Sequence, residues 1–367
     1  MNDDKRDLPC WEDEALWSED ESWRRDLIET EQRLEALAQR GARVSEHVIK
    51  AGNGHDAHAR LAPDDTLEAV IGAYAVLRWL FELSEYREHY RPSPYASRFL
   101  AAFESSGYLR QASLDTAPAM TRDEALGVVA DLNQRLQGWY ASLREPACRA
   151  ERRKHARNSR KNEQRFQALV EALQDQYSRL QVVRVDCEYT QESRPDITYE
   201  LAHSHRERLL RRVRADYPSL VGYAWKLEWG QETGLHYHFI FFFDGHQVRQ
   251  DIQIGEAIGR HWVLRITEGQ GRYFNCNRGA AERYRFNALG ALNYHDLVKR
   301  QGLAHLGRYL TKVDSVAAMT TAGRTFQTSQ IDKAEHRPKG GRPRQIVNPV
   351  KRRTPAPGDQ RQHHPIL

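Results

Sequence analysis

The sequence predicts an α+β protein: a C-terminal antiparallel sheet with flanking helices, preceded by a mostly helical half. Three observations carry that expectation. Apolar residues recur at helical spacing through the first 180 positions, and alternating β-branched and aromatic runs begin at Leu180. Two of those runs are joined by the short Gly230–Gly234 connection, the mark of an antiparallel hairpin. At 367 residues the chain exceeds one ordinary core. Four regions are expected: an acidic, partly disordered lead over 1–30, a helical domain of unassigned role over 31–164, a sheet domain over 165–330, and a disordered basic tail over 331–367.

Taken in order, Asp64 to Thr66 can cap a helix over the apolar stretch Leu67–Leu83. That stretch is interrupted by Glu68, Arg78 and Glu82 and is too short to span a bilayer, so a buried helix is expected and no membrane partner. Thr121-Arg-Asp-Glu124 is a capping box opening Ala125, Val128, Val129, Leu132 and Leu136. The stretch Arg144–Arg165 carries 9 bases and 3 acids and runs into an amphipathic helix with Phe166, Leu169, Val170, Leu173 and Tyr177 on one face. A charge run of this kind is ordinarily a solvated face or a linker. Leu180–Tyr189 alternates as a strand. Asp196 is expected to cap the next helix, through Leu201, Leu209, Leu210 and Val213, with Arg206, Arg208, Arg211, Arg212 and Arg214 on its outer face. Strands Val221–Trp229 and Leu235–Phe243 follow. A helix near Ile254–Trp262, a strand around Arg272–Asn277 and a helix ending near Lys312 complete the unit.

The formal charge of +5 hides a division. Residues 1–30 hold 11 acids against 4 bases, and residues 337–367 hold 8 bases against 1 acid. Arg outnumbers Lys by 45 to 10. A guanidinium's planar fork suits phosphate, although a GC-rich coding sequence produces the same bias. The first residues lack the apolar run of a secretory signal. Four dispersed cysteines, Cys10, Cys148, Cys187 and Cys276, form no C-x-x-C pair, which points to a reducing cytoplasm and away from a zinc finger.

Two motifs carry chemistry. His236 and His238 lie two apart in the run Leu235–Phe243, so in a strand both imidazoles project from one face and can share a metal ion. The chain supplies its own control, because His203 and His205 have the same spacing in a helix, where the rings diverge by about 200°. If the hairpin forms, Glu228 folds back towards the pair and adds a carboxylate oxygen. Two imidazoles and a carboxylate suit Mg²⁺ or Mn²⁺ in phosphoryl chemistry, and ligand type also admits Zn²⁺. The second motif is Tyr309-Leu-Thr-Lys312, whose phenol and ammonium share a helix face and can address one phosphate. His305, one turn earlier, is a candidate supporting group. The other Y-x-x-K match, Tyr223 to Lys226, lies in a strand, where the two side chains point to opposite faces.

The order of these motifs resembles the HUH endonuclease superfamily. Within it, the segments Val182–Asp186, Leu227–Gly230, Gly234–Phe239, Phe243–Gly245, Ile266–Gly271 and Arg308–Asp314 are similar to filamentous-phage (inovirus-type) replication initiator-like proteins and the YagK/YfjJ C-terminal-domain family. The similarity covers about residues 165–345. It implies a cytoplasmic single-tyrosine nickase in which Tyr309 attacks a scissile phosphate of single-stranded or origin DNA. The products are a 5′-phosphotyrosine and a free 3′-OH for rolling-circle replication. His236, His238 and Glu228 would hold Mg²⁺ or Mn²⁺, and Lys312 would add charge. Arg206, Arg208, Arg211 and Arg212, with the tail residues Arg342 and Arg344, would neutralise DNA phosphates. The tail run Gly340–Arg344 is faintly similar to minor-groove hooks. No G-x-x-x-x-G-K-[ST] occurs, so a host helicase and polymerase are implied as partners. The competing expectations are an HUH transposase and a DNA-binding regulator that retains the fold without turnover.

Overall fold

A computed structural model describes residues 22–51, 58–113, 118–284, 286–321 and 323–330. The N-terminal half builds helices with local stop and start signals. The helix α1 (Ser22–Arg40) is followed by a hairpin of β1 (Val48–Ala51) and β2 (His58–Leu61). Then come α2 (Asp65–Arg78) with a π-type turn to Leu83, α3 (Tyr86–His89) and β3 (Tyr90–Pro92). Next are α4 (Pro94–Phe103), α5 (Gly107–Gln111), α6 (Arg122–Arg144) and the 31-residue α7 (Pro146–Gln176). Asp64 caps α2 by accepting from the Thr66 and Leu67 amides, and Thr121 and Glu124 form the expected reciprocal box on α6.

The C-terminal half contributes β4 (Arg179–Tyr189), α8 (Tyr199–Asp216), β5 (Leu220–Gly230), β6 (Gly234–Asp244) and α9 (Asp251–His261). After these come β7 (Gly271–Asn275), α10 (Ala280–Arg283), β8 (Gly290–Asn293), α11 (Leu297–Lys312), β9 (Ala317–Met319) and β10 (Phe326–Thr328). The main sheet is antiparallel in the order β10-β5-β6-β4-β7. Strand β4 is long enough to pair a second time, with β7 along 185–189 and with β8 along 179–182. The fold is therefore α+β. No described helix is long and apolar enough to cross a membrane.

Strand periodicity divides the sheet into two different faces. Val183, Val185, Cys187, Trp225, Leu227, Tyr237, Phe239 and Phe241 share one core with Leu209, Leu210 and Val213 of α8 and Ile254 and Ile258 of α9. Val182, Ala224, Ile240 and Phe242 share the other with Phe166 and Leu169 of α7 and Leu303, Leu306 and Leu310 of α11. Gly307 permits the α7–α11 crossing, because a Cβ there would stand 2.3 Å from the Phe166 ring.

Several expectations need adjustment. The helix after β4 is capped by Thr198, whose hydroxyl accepts from the Leu201 amide, while Asp196 closes a preceding 3₁₀ turn. The boundary expected at 30/31 falls inside α1 and that at 164/165 inside α7, and all described residues lie in one compact unit. The physical bridge is aromatic. Trp23 packs against both Tyr86 and Tyr90, with centroids 4.8 and 5.2 Å away. Tyr86 meets Trp229 edge-on at 5.1 Å, and β3 pairs with β9. Residues 1–21 of the lead and the whole basic tail, with Arg342 and Arg344, lie outside the described residues.

Candidate metal centre and tyrosine site

The hairpin forms with the register that the site requires. Glu228 on β5 pairs with His236 on β6, and His238 is flanked by Lys226 on β5 and Asp186 on β4. The turn ends at Gly234, whose φ of 63° lies in the left-handed region that glycine adopts without strain. Because these side chains share one sheet face, Glu228, His236 and His238 each offer a ligand atom within 4.8 Å of the others. Glu228 Oε2 lies 3.4 Å from His238 Nε2 and 3.9 Å from His236 Nε2.

Hydrogen bonds behind the rings fix which nitrogen faces the cluster. His236 Nδ1 is 3.0 Å from the Gly234 carbonyl oxygen, an obligate acceptor, so Nδ1 carries the proton and Nε2 presents a lone pair. His238 Nδ1 lies 3.1 Å from Asp186 Oδ1, the carboxylate–imidazole arrangement that orients metal-binding histidines. Burial pushes the His238 pKa down to about 3 against the pull of Asp186, which keeps the ring neutral. Asp186 is itself held by both Arg184 Nε and a terminal nitrogen at 3.0 Å each. Burial would raise its carboxyl pKa, but the Arg184 charge and the His238 bond outweigh that and hold it well below the usual range. Among the described residues, His238 Nε2 and Glu228 Oε1 are buried without a hydrogen-bond partner. Buried polar atoms are otherwise almost always satisfied, so this donor set fits a cation. Two imidazoles and one carboxylate match the ligands expected for a divalent ion.

Tyr309 comes to this cluster from α11. Its hydroxyl accepts a hydrogen bond from Arg24 of α1, and the same guanidinium pairs with Glu228 Oε2. The phenol and carboxylate oxygens are thus no further apart than about 8 Å, two N–H···O bonds of about 3 Å plus the width of one guanidinium fork. Two cations approach the tyrosine ring, Arg24 at 5.0 Å and Arg184 at 5.7 Å from its centroid. Just beyond the end of α11, Asp314 pairs with the buried Lys226 beside His238, and Ser159 of α7 donates to the Thr311 carbonyl at 2.7 Å. Burial lowers the Lys226 pKa and its partner Asp314 opposes the shift. These ties set the tyrosine helix against the polar face.

A cavity of about 250 Å³ opens onto the cluster, lined among others by Arg24, Asp186, Glu228, His236, His238 and Phe274. Lys312 is half-buried at the last position of α11 and, among the described residues, is not part of that lining. His305 stacks on Phe286 at 4.5 Å and supports α11 packing rather than the tyrosine. Tyr223 and Lys226 diverge as expected. Of the other histidine pair, His205 turns inward to Tyr189 at 3.0 Å.

Arg206 of α8 does not lie on the outer face where it was expected, whereas Arg211, Arg212 and Arg214 are exposed. Arg206 is 8% exposed, lies 4.2 Å over the Trp225 ring and pairs with Glu207. Its position, four after Ala202 and three before Leu209, places it in the buried stripe of α8. Arg208 reaches the Arg265 carbonyl at 2.8 Å and Arg212 reaches Asp216 at 2.6 Å, while Arg211 is exposed. Since α8 covers the Trp225–Phe241 side, these arginines stand across the sheet from the Glu228–His236–His238 cluster.

Sequence reasoning missed Arg24, Arg184 and Asp186. For the last two a signal existed: two opposite charges, two apart, on one face of a strand and flanked by the apolar Val182, Val183, Val185 and Cys187. Arg24 carries no local signal.

Residues 149–326 match the family model described as the YagK/YfjJ C-terminal domain, as the resemblance implied. That segment holds Glu228, His236, His238, Tyr309 and Lys312, and it excludes Arg24. No curated protein and no solved structure matches the chain.

Proposed function

We propose that residues 149–326 are a metal-dependent tyrosine DNA nickase of the HUH type, acting as a replication initiator. The observation that carries the reading is the placing of the Tyr309 hydroxyl beside the Glu228–His236–His238 cluster, joined to it by one guanidinium. A divalent ion, Mg²⁺ or Mn²⁺, held by those three side chains would polarise a phosphate oxygen and offset the charge developing on it.

The chain's own residues account for the rest. Tyr309 Oη forms a bond to phosphorus as the bond from phosphorus to the 3′-oxygen breaks. The phenolic proton passes to solvent and the leaving oxygen gains one, giving a 5′-phosphotyrosine and a 3′-OH. The diester's energy is kept for rejoining. Asp186, itself held by Arg184, accepts from His238 Nδ1 and so leaves Nε2 available. Lys312, on the tyrosine helix, supplies nearby positive charge.

The DNA path best supported runs on the α7–α11 side. Lys161, Arg165 and Arg324 are exposed around a cavity of about 380 Å³ that His155, Asn158 and Asn162 also line. Phe274, with Arg283 over its ring at 4.8 Å, is 39% exposed beside the cluster cavity with Arg272, where an aromatic edge and two cations can meet a nucleotide. A helicase and a polymerase would act as partners, in the cytoplasm. Incubation of labelled single-stranded origin DNA with the protein and Mn²⁺ tests this reading. The expected product is an adduct that survives denaturant and is absent with Tyr309→Phe. Salt-sensitive DNA binding without any adduct would instead assign a regulator.

A further inference from the structure

Arg24 belongs to neither the matched segment nor the two motifs, yet it sits at their junction. The residue is 5% exposed, and a buried guanidinium is costly unless its charge is met. One terminal nitrogen donates to Tyr309 Oη, the other pairs with Glu228 Oε2, and the residue lines the same cavity as His236 and His238. Its position is built by its neighbour. Trp23 packs on Tyr90, whose hydroxyl accepts from the Trp229 amide and donates to the Trp229 carbonyl, both at 3.0 Å. Trp229 adjoins Glu228, so this aromatic ladder registers α1 against the strand that carries the carboxylate.

We propose that Arg24 is a catalytic residue of the tyrosine site, supplied by the N-terminal helix. This rests on the nickase reading. Arg24 holds Tyr309 Oη beside the cluster and brings its guanidinium charge into the cavity where the scissile phosphate would lie. A lysine offers one charge point and cannot span both roles. The N-terminal half thereby completes the site that the matched segment begins, which gives α1 a role in the reaction.

The test measures adduct formation on labelled single-stranded DNA in Mn²⁺, together with DNA affinity, for the full chain and for Arg24→Ala, Arg24→Lys and Arg24→Gln. Arg24→Ala is expected to slow adduct formation about 100-fold, the usual cost of removing one such donor, while DNA affinity changes less than about threefold. Arg24→Lys recovers only part of the rate. Millimolar guanidinium added to Arg24→Ala restores at least about tenfold and does nothing for Tyr309→Phe, a response that a purely structural role does not give. An Arg24→Ala or Arg24→Gln rate within about threefold of the unaltered chain overturns the proposal, as does failure of guanidinium to rescue a folded Arg24→Ala. If the unaltered chain forms no adduct, the nickase reading fails first, and Arg24 falls with it.

Discussion

The two faces of the central sheet are made by the same three strands and do opposite work. On the α8–α9 side, Tyr237, Phe239 and Phe241 stack at 5.3 and 5.7 Å in a dry aromatic column. On the α7–α11 side, the intervening residues His236 and His238 meet Glu228, Asp186 and Lys226. The lesson lies in the strand period: a two-residue alternation lets β6 serve as core on one face and carry the candidate ligand histidines on the other, and rigid packing on one face fixes geometry on the other.

Adjacent residues therefore give the sharpest contrast. His238→Ala should lower Mn²⁺ affinity by more than about 100-fold, above the 10- to 100-fold typical of losing an outer-shell partner. Phe239→Ala should cost about 3–5 kcal/mol of stability and leave the metal affinity of the folded protein nearly unchanged. Calorimetric metal titration and denaturant unfolding of both variants check this. Equal effects of both variants on metal affinity would break the comparison.

A second contrast separates the candidate ligand carboxylate of Glu228 from a structural one. Glu31 of α1 is buried and accepts from the Ser93 hydroxyl at 2.7 Å, and burial raises its pKa from 4.5 to about 7. The folded state therefore binds this proton more tightly than the unfolded state. The stability it contributes is complete below pH 4.5 and is lost as pH rises through 7. Glu31→Gln should remove that decline, a relative gain on the order of 3 kcal/mol at pH 8 against pH 4. Unfolding curves of both proteins across that range measure it.

The smallest effects should map the DNA path. Lys161→Ala with Arg165→Ala, on the site's side, should weaken single-stranded DNA binding several-fold and flatten its salt dependence by about one to two units. Arg211→Ala, across the sheet, should change neither by more than about twofold.

Much of this arrangement was legible in the sequence because it is local. Capping boxes at Thr121, the His236–His238 alternation and the glycine-bounded hairpin all depend on residues a few positions apart. The Tyr309 helix followed from the same periodicity. Arg206 was placed outside because a helix wheel of arginines conceals which stripe meets the core until Trp225 is known to lie beneath it. The expected boundaries at 30/31 and 164/165 fall inside helices because neither a ladder from Trp23 to Trp229 nor a helix from Pro146 to Gln176 leaves a composition break. Arg24 lies 285 positions from Tyr309, a separation that only the folded chain closes.

The central claim is that Tyr309 is the nucleophile beside a metal held by Glu228, His236 and His238. Mass spectrometry of the protease-digested protein–DNA adduct tests it most directly. The account predicts a 5′-phosphate linked to the peptide bearing Tyr309, absent when Mn²⁺ is chelated. A linkage at another residue, or a nicked strand with a free 5′-phosphate and no linked peptide, would contradict it.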